Sequence, residues 1–536
     1  EILSGLVGSE MCIRDSILTM ENSDYEAIYV EDGVIKKCGN YSEIKNLVCA
    51  DTEFIDLQGK CLMPSFIDSH SHVVSLASTL KLVDLSKATS IAQIIQCFKN
   101  YIEENNPTSE EMLIGFGYDH NFLKEQCHPT ASDLDKISTT NPIMMAHASG
   151  HMGVVNTKTM QLLGLTDQIN DPVGGKYGRD EDGHLNGYLE EQAFITIASQ
   201  GSKENKNLKT QILDALKIYA SYGITTVQEG YMKQHEFDLL NSLATENKLF
   251  LDVVGYVDIK NNYSLYRDNQ QYHHYLNHFK LGGYKLFLDG SPQGKTAWLS
   301  KPYENSGDYC GYPIYLDSDV KKFVDMAIND KAQLLTHCNG DAASNQLLDA
   351  FNDQYTPLRP VMIHSQTLRP DQLPRLKSIG MIPSFFIAHI YYWGDIHRRN
   401  LGQRAESISC VHSALKLDLP YTFHQDTPVI EPNMLETIWC AVKRQTKNGV
   451  TLGTDEQISV YNALKGVTIN AAYQYFEEHL KGSIKEGKKA DLLILDRNPC
   501  KVAIEEIRQI KIIETIKDGI TTVSYTHLRA HETRED

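Results

Sequence analysis

Short apolar segments recur along the chain, and most of them end in polar or ionisable residues. The first, Leu62-Met63-Pro64-Ser65-Phe66-Ile67, runs into Asp68-Ser69-His70-Ser71-His72. An apolar run bounded by turn-forming residues reads as a buried strand. Seven more follow, at 223–229, 250–256, 284–290, 333–337, 360–364, 382–389 and 419–426. Amphipathic stretches such as 208–222 and 320–331 lie between most of them. Strand–helix alternation predicts parallel β/α units. Eight such units predict an α/β chain closed into a (β/α)8 TIM barrel, which places its chemistry at the C-terminal ends of the strands. An open doubly wound sheet is the rival, but it does not naturally gather five strand ends around one point.

The ionisable residues of these strands are His70, His72, Lys285, His337, His364 and Asp426. At strand period two, His70 and His72 point to the same side. Two imidazoles on one side at the end of a buried strand suit a metal, although a His-x-His pair also occurs by chance in surface loops. Histidine nitrogen and carboxylate oxygen are the donors that Zn2+ or a similar divalent ion takes.

The flanks have another texture. Residues 27–30, 34–39 and 53–57 read as short strands, with Asp32-Gly33 as a tight turn. Residues 490–496 and 510–516 look alike, and Asp518-Gly519 is a second turn. The two flanks, 17–62 and 483–522, are expected to pair into one small β-sandwich, leaving 63–482 to the barrel. The stretch between the first two barrel strands is too long for a loop, so an inserted subdomain of about 78–215 is expected after barrel strand 1. Residues 1–16 and 523–536 resemble translated sequencing-adapter sequence and are set aside as foreign tails. Cys12, His527 and His531 are therefore not site candidates. An authentic N-terminal segment, including any signal peptide, is not to be read from this sequence.

Composition narrows the partners. The chain has 536 residues, 41% of them hydrophobic and 22% charged, which is ordinary for a globular enzyme. A formal charge of −18 argues against a nucleic-acid partner, which would favour a basic patch. No apolar run is long enough to span a membrane. The 11 Cys form no CxxC pair, so reduced thiols and a cytoplasmic location are expected. Cys338 reads as a small buried thiol, and His273, His274 and His397 as surface residues. No strand is followed by GxGxxG, which disfavours a nucleotide-binding oxidoreductase.

Several motifs, in order, carry a resemblance. They are 64–72 (PSFIDSHSH), 285–291 (KLFLDGS), 337–342 (HCNGDA), 363–366 (IHSQ), 426–429 (DTPV), 468–472 (TINAA) and 482–492 (GSIKEGKKADL). Together they resemble the amidohydrolase superfamily, in its amidohydrolase-3 branch of metal-dependent hydrolases, over nearly all of 17–522. Two departures stand out: Ser65 where the branch usually has Gly, and His424-Gln425-Asp426 in place of the commoner Gly-Ser-Asp.

The resemblance implies that His70, His72 and Asp426 hold one divalent metal, that His337 and His364 hold a second, and that Lys285 bridges the two as a carbamate. The alternative for Lys285 is a salt-bridged lysine turned out of the centre. Asp426 is the implied proton shuttle. His151, Asn156, Glu191, Asp289, Ser291, His389, Trp393 and Arg404 match branch positions near the pocket, and either substrate binding or scaffolding suits each. The implied function is hydrolysis of a non-peptide C–N bond in a small molecule, with one or two divalent ions of zinc type as cofactor; the expected partners are the small-molecule substrate and further copies of the chain, with no nucleic acid and no membrane. A mononuclear deaminase or lactonase of the same fold, and a non-catalytic barrel that only binds, are the alternatives.

Overall fold

The computed structural model describes residues 3–6, 17–21, 23–47, 52–172, 174–201 and 207–524. Most of both expected foreign tails lies outside these residues. Leu3–Leu6, however, pairs in parallel with Glu53–Ile55.

Eight parallel strands form one curled sheet in sequential order. They are β1 (Phe66–Ile67), β2 (Ile224–Met232), β3 (Asp252–Asp258), β4 (Phe279–Phe287), β5 (Gln333–Cys338), β6 (Val361–His364), β7 (Ile382–Phe385) and β8 (Thr422–Phe423). The outer two strands meet just beyond their ends. Asp426 N–H donates to His70 O at 3.2 Å, and His72 N–H to Thr427 O at 2.9 Å. Helices Leu208–Ser221 and Asp317–Asn329 supply two of the amphipathic connections.

Several boundaries differ from the sequence reading. The first apolar run serves two sheets. Cys61–Pro64 pairs antiparallel with Leu492–Leu495, and only Phe66–Ile67 joins β2. Ser65 is the switch point, its N–H donating to Asp491 O while its hydroxyl meets that of Thr225. Strand β4 begins at Phe279, ahead of the reading that starts at 284, because Gly282-Gly283 breaks the apolar pattern. Tyr256 fills the space beside Gly282, where a Cβ would lie 2.6 Å from its ring. Strand β7 ends at Phe385, and His389 opens helix His389–Leu401 instead of closing a strand.

Both chain flanks contribute to one core. Ala27–Glu31 and Val34–Gly39 form a hairpin, and Cys61–Pro64, Leu492–Leu495, Ile512–Lys517 and Ile520–Ser524 form a four-stranded sheet. Ile28, Val30, Ile35 and Leu62 pack with Ile484, Leu492, Ile494 and Ile516. Burying such side chains contributes about 1.5–3 kcal/mol each, so the shared core holds the two flanks together. Lys517 reaches both Asp252 at 3.1 Å and Asp491 at 3.2 Å, an ion pair that ties the C-terminal flank to β3.

The chain divides into two compact units: 1–73 with 213–427 and 432–536, and 74–212 with 428–431. The second unit has a six-stranded sheet of its own, in the order Gly175–Arg179, Leu185–Glu191, Met152–Val155, Ile143–His147, Leu113–Tyr118 and Val83–Asp84. Among the described residues, no helix is long and apolar enough to cross a membrane.

Candidate metal centre

The C-terminal ends of β1, β5, β6 and β8 bring His70, His72, His337, His364 and Asp426 together. Ring centroids lie 5.0 Å apart for His70 and His72, 5.6 Å for His70 and His364, and 4.5 Å for His337 and His364. Asp426 Oδ1 is 3.3 Å from Nε2 of both His70 and His72, and Oδ2 is 4.0 Å from His364 Nε2. Donor atoms of His70, His364 and Asp426 are close enough to share one ion. His364 and Asp426 both have positive φ, 71° and 55°. For non-glycine residues this costs about 1–2 kcal/mol each, and the neighbouring strands hold the strained ends in place.

Hydrogen bonding fixes the tautomer of His70. The Gln228 side-chain N–H group donates to Ser69 O and to the Tyr475 hydroxyl, both at 2.8 Å. Its Oε1 therefore faces His70 Nδ1, at 2.6 Å, and accepts that proton. His70 Nε2 is left with its lone pair, 3.1 Å from Lys285 Nζ and 3.3 Å from Asp426 Oδ1. Asp426 Oδ1 is itself buried without a hydrogen bond. Imidazole nitrogen and carboxylate oxygen of His70, His364 and Asp426 converging in one buried place are the donor set that suits a divalent metal.

His337 Nε2 lies 3.1 Å from Gly290 O and 3.2 Å from Asn339 Nδ2, which together orient the ring beside His364. His364 Nδ1 is 3.1 Å from His424 Nε2, and His424 Nδ1 is 2.8 Å from the Ser384 hydroxyl. The extra imidazole of the eighth strand thus holds His364 with its Nε2 towards Asp426.

Lys285 is fully buried on β4, with Nζ 3.1 Å from His70 Nε2 and 5.0 Å from the Phe287 ring centroid. It points into the centre, not out of it. Burial lowers its ammonium to about 7, against a smaller opposing pull from Asp426. Burial, and then the Lys285 charge, hold His70 well below the ordinary imidazole value. Burial works against a charged His72, but Asp426 and Glu229 outweigh it and raise the ring to about 9. Burial also opposes the Asp426 charge, yet His364, His72 and His70 keep its carboxyl well below the usual carboxylate range.

The remaining sequence candidates scatter by role. Asp289 accepts backbone N–H groups from Asn339, Gly340 and Trp298 at 2.7–3.0 Å, so it fixes the loop that follows β5. Ser291 N–H is held by Thr296 Oγ1 at 2.9 Å. The Trp393 ring lies tilted 4.5 Å from that of His389, whose Nδ1 meets His397 Nε2 at 3.1 Å. His397 is buried, which corrects its reading as a surface residue: helix His389–Leu401 turns it one face inward, eight residues after His389. Arg404 donates to the carbonyls of Lys301, at 3.0 Å, and Pro302, clamping a neighbouring loop. In the second unit, His151 pairs with Glu191 at 2.8 Å. There Asn156 spends its side chain on Ile143 N–H, Thr159 N–H and two carbonyls.

Sequence reading gave no role to Gln228 or Glu229, whose carboxylate lies 3.7 Å from His72. Both close the second apolar segment, the same strand-end position that drew attention to the histidines. Gln228→Leu should weaken divalent-metal affinity by about 10- to 100-fold, because partners that orient metal-bound histidines typically contribute that much. Competition with a chelating dye measures it. Unchanged affinity in a folded variant would remove the tautomer argument.

A curled parallel sheet with histidines, a lysine and an aspartate at one end defines a metal-dependent hydrolase barrel. The chain matches the Amidohydrolase family over residues 53–523 and belongs to that family. It is 25% identical to N-substituted formamide deformylase from Arthrobacter pascens, over 95% of this chain and 97% of that one. It is 26% identical to Protein LONG AFTER FAR-RED 3 from Arabidopsis thaliana, over 92% of this chain and 88% of that one. The crystal structure of an uncharacterized metal-dependent hydrolase from Pyrococcus horikoshii OT3 superposes with a TM-score of 0.75 at 25% identity, covering 94% of this chain and 99% of that one.

Proposed function

We propose that the protein hydrolyses the amide C–N bond of a small N-formyl or N-acyl amine, or of a cyclic amide. The observation that carries this reading is the convergence of donor atoms of His70, His364 and Asp426, close enough to share one ion, with Lys285 Nζ 3.1 Å from His70 Nε2. Similarity to a formamide deformylase along nearly the whole chain supports the substrate class. Zinc suits the nitrogen and oxygen donors. A divalent ion held there supplies Lewis acidity, which lowers the pKa of water towards neutrality and polarises a carbonyl. Asp426 accepts the proton of the attacking water and delivers it to the departing nitrogen. That delivery is needed because an amine leaves poorly as its anion. Neutral His70 and His364 would hold the ion, and Lys285, if carboxylated, would add a carbamate oxygen donor beside them.

A one-ion reading has its own support in the trio of His70, His364 and Asp426. Lys285→Ala separates the two. With a carbamate bridge, the variant should lose one bound equivalent by elemental analysis, and unchanged stoichiometry would favour the single ion. The test of the function itself is a screen of the metal-loaded protein against N-formyl amines, N-acyl amines and cyclic amides, with amine release as readout. Turnover of esters or aminopurines in place of amides would overturn the substrate class.

A further inference from the structure

The second unit carries a cluster of its own. Leu113–Tyr118 and Ile143–His147 are adjacent parallel strands, with Tyr118 opposite His147. Parallel sheets receive ligands beyond the C-terminal ends of their strands. Asp119 and His120 follow the first of these ends, and His147 closes the second. Asp119 Oδ1 lies 3.3 Å from His147 Nε2 and 3.8 Å from His120 Nδ1, and the two ring nitrogens are 3.4 Å apart. Zinc bonds of about 2.0–2.1 Å in tetrahedral geometry separate neighbouring donors by roughly 3.3–3.4 Å. The two edges at His147 therefore match one face of such a tetrahedron, and the third, at 3.8 Å, is slightly longer.

We propose that Asp119, His120 and His147 form a second divalent-metal site, of zinc type, on the inserted unit. Two imidazoles and a carboxylate make three protein ligands and leave a fourth position for water. The surroundings hold these groups in place. Asp119 Oδ1 accepts the backbone N–H and the side-chain N–H of Asn121, both at 2.9 Å. His120 stacks on His128 at 3.9 Å, and His128 Nδ1 accepts the Tyr118 hydroxyl at 3.0 Å. His147 is buried, with Nδ1 accepting Ser149 N–H at 3.0 Å and lying 2.9 Å from Ser149 Oγ. Metal binding at His147 Nε2 needs one balanced change. The ring proton leaves Nε2 and a proton takes Nδ1, where it is donated to Ser149 Oγ in exchange for the bond from Ser149 N–H, so the neutral ring shifts tautomer with no net proton release.

The experiment uses the full-length protein, stripped with chelator, reloaded with Zn2+ alone and counted by elemental analysis. Asp119→Asn and His147→Gln should each bind one equivalent less than the parent. The same loss should occur in a His70→Asn background, which makes the result independent of the barrel centre. Ser149→Ala should lower zinc affinity about 10- to 100-fold, since it removes the acceptor for the shifted tautomer. Thermal melting in chelator checks the fold. If His147→Gln melts early, Asp119→Asn decides, because asparagine keeps an acceptor for Asn121. Parental zinc stoichiometry in a folded Asp119→Asn would overturn the proposal and leave a hydrogen-bonded Asp–His–His cluster.

Discussion

Asp426→Asn should lower kcat for the amide substrate by about 10^2- to 10^4-fold, the range that a positioned general acid–base contributes. The side chain keeps its shape and loses its proton affinity. The fold should persist, because the contact between the β8 and β1 ends runs through the Asp426 backbone N–H. Asparagine also tolerates the positive φ of 55° at this position. Asp426 faces three imidazoles, so the same sample needs a metal count. Loss of kcat with the metal retained isolates the proton shuttle. Loss of both assigns Asp426 chiefly to holding the ion. Wild-type kcat in a folded, metal-loaded variant would sink the shuttle role.

The parts of the fold legible in the sequence are those with a local signature. Eight apolar segments ending in ionisable residues foreshadow the sequential parallel sheet, because buried strands need continuous apolar runs and carry polar groups only where they leave the core. The same rule picks out His70, His337, His364 and Asp426. Boundaries were less legible where one local signal served two structures. Cys61–Pro64 and Phe66–Ile67 form one apolar run yet join different sheets. Gly282-Gly283 hid the start of β4, since the glycines make room for Tyr256 and add no apolar side chain of their own. Contacts across strands left no local trace at all. Nothing in Gln228-Glu229 says that one orients His70 and the other faces His72, because both relations depend on the register of β2 against β1. The burial of His397 likewise depends on which face of its helix meets the barrel.

Removing the divalent ions should lower hydrolysis by at least about 10^3-fold, since Lewis-acid assistance contributes several kcal/mol at about 1.36 kcal/mol per decade of rate. Reloading tests Lys285 as well. Carbamate formation joins the neutral amine to CO2 and releases one proton, so it requires Lys285 to be uncharged. With its ammonium lowered to about 7 by burial, Lys285 is mostly neutral at pH 8 and mostly charged at pH 6. Recovery of activity with Zn2+ and bicarbonate should therefore be fast at pH 8 and slow at pH 6, and leaving out bicarbonate should slow it at pH 8. In Lys285→Ala the bicarbonate effect should vanish. Recovery that ignores both pH and bicarbonate in the parent would leave Lys285 as an uncarboxylated neighbour of His70, and the one-ion centre of His70, His364 and Asp426 would then be the better account.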